Sequence, residues 1–163
     1  MDAAEHAADA NSPGAAAAYL VRLRPVLGEA TGARRALVRS LTGLADDVRR
    51  GGPMVAERAG AIGSERIATF RDLRAQLDGL TPPTACEACH LTLGRWINRL
   101  IDCCELLHSV GATGDVAPLS RAQALIGEAR EYARGFNAEH AQLVGELRDL
   151  VDAATERARL PIR

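Results

Sequence analysis

Apolar side chains recur along most of this chain at alternating steps of three and four. The first stripe is Leu20, Leu23, Leu27, Ala30, Leu37, Leu41, Leu44 and Val48, interrupted only where Arg34 falls on it. A second runs Val55, Ala59, Ile62, Arg66, Phe70, Leu73, Leu77 and Leu80; a third carries Leu93, Trp96, Ile97, Leu100, Ile101 and Leu107. The last is the longest: Ala122, Leu125, Ile126, Ala129, Ala133, Phe136, Leu143, Leu147, Leu150 and Ala154. A period near 3.5 residues sustained over several turns is the mark of helix packed on helix. Gly51-Gly52-Pro53, Gly79 with Thr81-Pro82-Pro83, and residues 111–118 separate the stripes with residues that end one helix and open the next. The pattern predicts helices over residues 15–50, 53–79, 84–110 and 119–158, with Thr84 as N-cap of the third and Pro161 stopping the fourth. Residues 1–14 read as a flexible arm, and Pro25 should kink the first helix or mark a restart. Short connections make neighbouring helices antiparallel, so residues 15–160 are expected to form a single up-down-up-down four-helix bundle, all-α, with long first and fourth helices.

Composition supports that fold. The 163 residues include 31 Ala and 20 Leu but only 9 Val, 6 Ile and 8 Thr, so strand formers are scarce and the composition disfavours a sandwich, barrel or doubly wound sheet. Twenty basic residues, all arginine, against 21 acidic ones leave a net charge of −1, without the basic surplus expected of a nucleic-acid binder. The doublets Arg34, Arg35 and Arg49, Arg50 read as solvated helix faces. No stretch approaches a membrane span, and the acidic start lacks the pattern of a secretory signal. A cytoplasmic protein with reduced cysteines is expected.

One cluster carries chemistry. Cys86-Glu87-Ala88-Cys89-His90 opens the third helix, and at about 100° per residue its two cysteines and histidine share the face of Leu93, Ile97 and Leu100. Cys104 and His108 return to that face, whereas Cys103 should lie on the flank. A turn centred between residues 110 and 119 sets His140, itself on a seam position, level with Cys89. Hairpin geometry adds Ala75 and Gly28, two small residues that would leave room in this layer.

Three readings compete. In the first, Cys86, Cys89 and Cys104 are small hydrophobes and His90 and His140 are satisfied core histidines. In the second, the thiolates of Cys86 and Cys89 hold zinc or copper with His140 and His90. In the third, C-x-x-C-H is a covalent haem attachment sequence. Through that motif the chain resembles the cytochrome c′ class, which also sets it on a four-helix bundle. The resemblance implies Cys86 and Cys89 as thioether anchors and His90 as axial ligand, with His140 as a second ligand. It departs from the class in position, because the motif belongs there to the last helix and 73 residues follow His90 here.

Other constellations fail. Glu87-x-x-His90 and Glu105-x-x-His108 lie on one helix about 27 Å apart, so they cannot form a di-iron centre. No nucleophile elbow or phosphate-binding glycine motif is present. The start of the third helix is expected to lower the pKa of Cys86. The sequence is thus read first as a small soluble non-catalytic interaction or scaffold protein, binding a protein partner or itself as a homodimer, with no cofactor, nucleic acid or membrane. The alternative is a zinc-, copper- or haem-binding bundle using Cys86, Cys89, His90 and His140.

Overall fold

The computed structural model describes residues 12–159. Four helices, α1 (Pro13–Arg49), α2 (Val55–Asp78), α3 (Glu87–Thr113) and α4 (Leu119–Arg159), form the expected all-α up-down-up-down bundle. Ser12 caps α1 by accepting a hydrogen bond from Ala15 N–H at 3.2 Å, and Pro13 takes the first helical position, where no amide proton is needed. Helix therefore begins inside the segment read as an arm, whose residues 1–11 lie outside the described residues. Pro25 neither ends nor restarts α1, which runs through it. Its ring is on the solvent side, so the carbonyl it leaves unpaired can be hydrated. A 3-10 turn, Thr84–Cys86, displaces the expected cap: Thr84 opens this turn, and Cys86 precedes α3 without a side-chain cap.

The core is aliphatic and small. Tyr19, Phe70 and Phe136 are its largest fully buried side chains, and Trp96 lies at its edge, 3% exposed. α3 is the central helix, packed most closely against α2 and α4. Glycines set its approach to α2: a Cβ on Gly60 would collide with Gly111 Cα, and one on Gly63 would strike the backbone of Cys104 and His108. Contact on both sides also buries Cys103, which the helical wheel had set on an open flank.

In α1 the buried face is Ala16, Tyr19, Leu23, Val26, Ala30, Leu37, Leu41 and Leu44. The expected Leu23, Ala30, Leu37, Leu41 and Leu44 are thus in the core, but in the first half of the helix Tyr19 and Val26 take the inner positions, so Leu20 and Leu27 are only partly buried, and Val48 is exposed. α1 and α4 touch more sparsely than any other adjacent pair of helices. No helix among the described residues is long and apolar enough to cross a membrane.

Candidate functional site

The connection between α2 and α3 carries the sulfurs inward. Pro83 is extended, Cys86 N–H donates to its carbonyl at 2.8 Å, and the resulting turn buries Cys86 completely. Cys89 follows in the first turn of α3 and is 2% exposed. Tyr19 comes from α1, and its hydroxyl lies 2.8 Å from His90 Nδ1, with ring centroids 6.2 Å apart. Burial pushes the Tyr19 phenol well above its ordinary range, and the neighbouring sulfurs of Cys86 and Cys89 push it further. His90 is held below the ordinary imidazole value by burial and by the Arg74 guanidinium, with Asp78 opposing. A phenol that keeps its proton beside an imidazole that resists one makes this an uncharged hydrogen bond, with donor and acceptor set by the tautomer of His90.

The thiols are shifted opposite to the expectation. Burial raises Cys86, and burial together with the Glu139 carboxylate and the Cys86 sulfur raises Cys89 to about 11. Burial also pushes Cys103 and Cys104 to about 12. The helix start would favour thiolate, but loss of water is the larger effect here. All four cysteines are free, buried and protonated at neutral pH.

The predicted neighbourhood of α3 and α4 is present. Arg99 Nε meets Glu128 Oε2 at 3.2 Å, Gly135 faces Thr92, and Glu139 acts on Cys89, all consistent with the turn-centred register. His140, however, is half-buried and stacks on Phe136, centroids 5.6 Å apart. Among the described residues no three His, Cys, Asp or Glu side chains converge to hold a metal ion, so Cys86, Cys89, His90 and His140 share a level without forming a ligand set. Gly28 and Ala75 are exposed, because the buried faces of α1 and α2 run through Tyr19, Leu23 and Leu73, Leu77 instead. The layer of small residues is therefore absent. Both sulfurs are enclosed beside Tyr19, so a porphyrin edge could reach them only by displacing the side chains packed there.

His108, expected on the core face, is exposed and pairs with Ser64 Oγ at 2.9 Å. Tyr19 and Glu139 escaped the sequence reading. Tyr19 adjoins the leucine chosen for the stripe, and Glu139 precedes the histidine chosen for the seam. That the chain holds only 2 Tyr, one of them beside the first apolar stripe, was the available signal for the first.

Two uncovered apolar features lie elsewhere. Between α1 and α4 runs a cleft of about 390 Å³ lined by Leu41, Leu44, Val48, Val116 and Leu119. It continues into a second of about 270 Å³ that shares Leu41, Ala45 and Gln123. At the other end α4 outruns its neighbours among the described residues. Val38 beside Ile126 and Leu41 beside Gln123 fix the pairing of α1 with α4, which sets the start of α1 level with roughly residue 151. Beyond Leu143, the seam continues through half-buried Leu147 to Leu150, 52% exposed, with Val151 at 63%.

No protein-family model matches the chain, and neither the curated proteins nor the solved structures yield a match.

Proposed function

We propose that this protein is a non-catalytic helical-bundle interaction protein that associates with a second copy of itself through the outlying end of α4. The observation that carries this reading is the seam of α4, which keeps its spacing of three and four past the last residue that its own bundle covers. An apolar stripe of helical period serves to pack on another helix, and among the described residues none lies along residues 150–158. The near-neutral charge suits self-association, since no strong like-charge field opposes it. The thiol cluster serves the core in this reading, its polar groups satisfied internally by the Tyr19–His90 bond.

Sedimentation equilibrium on the full chain tests it. The expected result is a concentration-dependent rise from 17.3 kDa to twice that mass, abolished by Leu150→Glu with helix content unchanged. A mass of one chain at every concentration overturns it.

A further inference from the structure

Self-association leaves open what covers the outlying end, and the end is complementary to itself. Resting on the reading above, we infer that the tips of α4 from two copies pair antiparallel with each other, each lying in line with the other's α3, just beyond its start.

The edge of α4 that faces α3 carries Glu128, Gly135 and Glu139, which meet Arg99, Thr92 and Cys89. Those pairings put the start of α3 level with about residue 141 of α4. Eighteen residues make about five full turns, so Glu146, Ala153 and Arg157 repeat the same edge past the start of α3. α1 lies along the opposite edge, that of Gln123 and Ile126. Among the described residues, the tip therefore has a lane one helix wide beside Glu146, Leu150 and Arg157, collinear with α3.

Charge and shape select the direction. Glu146 takes a hydrogen bond from Gln142 at 2.9 Å, but neither it nor Arg157 forms an ion pair among the described residues. The two stand about 16 Å apart along one helix, too far to pair with each other. When the tips run antiparallel with Leu150 over the other copy's Ala154, each Glu146 comes beside the other copy's Arg157, whose aliphatic stem covers Leu147. Two equal ion pairs result, related by a two-fold axis level with about residue 152. Asp149 and Glu156 stay on the outer side of the contact. Parallel tips would set Glu146 against Glu146 and run the other copy's α4 into α3. In the antiparallel register Arg159 stops about 6 Å short of the other copy's α3, at its Thr84–Cys86 turn, so the bundles stand end to end. The contact is isologous and closes at two chains.

Charge reversal on the full chain tests the register. Glu146 and Arg157 are exposed and three turns apart, so coupling between them must cross the interface. Glu146→Arg alone and Arg157→Glu alone are each expected to weaken the dimer about tenfold, since each creates two like-charged contacts. The chain carrying both is expected to dissociate within about threefold of the original. Small-angle scattering of the dimer is expected to give a maximum dimension on the order of 100 Å, that of two bundles end to end. Ala45→Arg, which fills the α1/α4 cleft, is expected to leave the dimer and the helix content unchanged. If Leu150→Glu dissolves the dimer but the double reversal is no tighter than either single one, the tips do not pair in this register; that overturns the inference and spares self-association. A compact side-by-side dimer, or a folded but monomeric Ala45→Arg chain, overturns it likewise. A chain monomeric from the outset overturns both readings.

Discussion

Tyr19 and His90, 71 positions apart in the chain, are joined by a 2.8 Å hydrogen bond that ties the first helix to the third across the diagonal of the bundle. The bond does two jobs at once. It satisfies the hydroxyl of a fully buried tyrosine, and it occupies Nδ1 of His90. Replacing Tyr19 with Phe keeps the ring and removes the hydroxyl, leaving a half-buried imidazole nitrogen unpaired. The expected cost is about 1–2 kcal/mol, read as a lower urea midpoint at unchanged m-value.

His90 also gives the fold an acid-sensitive edge. It faces Tyr19 from α1 and Arg74 and Asp78 from α2. Its folded pKa lies below the ordinary 6.5, so the unfolded chain takes up a proton first as pH falls. The stabilising contribution is complete above that value and is lost between 6.5 and the lower folded pKa. Denaturation midpoints are expected to drop over this window, and His90→Gln should flatten that part of the profile.

At high pH the sign is reversed. Cys89 at about 11 and Cys103 and Cys104 at about 12 keep their protons in the fold after an unfolded thiol, near 9.0, has lost its own. Stability is full below 9.0 and declines as pH climbs through the folded values. A thermal midpoint that holds from pH 9 to pH 11 in reducing buffer would contradict this.

The same burial predicts inert thiols. A disulfide reagent in excess is expected to titrate no cysteine of the native chain at neutral pH and all four after unfolding. Rapid native reaction at Cys86 or Cys89 would show that the turn before α3 opens readily.

Gly60 and Gly111 permit the closest approach in the bundle. Gly111→Ala introduces a methyl group against the α2 backbone at Gly60, where neither helix can yield locally. Destabilisation of about 1–3 kcal/mol is expected, although alanine is the better helix former. Gly127→Ala, with open space around it, serves as the control and should stabilise slightly.

Much of the architecture was legible in the sequence. The four stripes and their glycine and proline breaks specify helices, count and order, and the length of the connections specifies antiparallel neighbours. The register of α3 against α4 follows from the same arithmetic and is visible at Arg99 and Glu128. What a stripe does not encode is rotation about the helix axis: Leu20 and Tyr19 are both reasonable core residues, and neighbours across the bundle chose Tyr19. That small turn moved Gly28 to solvent and put a phenol beside the cysteines. His140 illustrates the other gap, since a seam position places a residue at a level without deciding whether its ring points to sulfur or to Phe136.

Because α4 runs without a break from Leu119 to Arg159, its exposed tip is phased rigidly to its buried root, like the two arms of a crankshaft. One residue inserted between Leu143 and Leu150 would swing the tip by about 100° and lengthen it by about 1.5 Å, turning acids where leucines should be. Seven residues would nearly restore the phase while moving the tip outward by about 10 Å. The reach and phase of the exposed tip are thereby written into the length of a single rod.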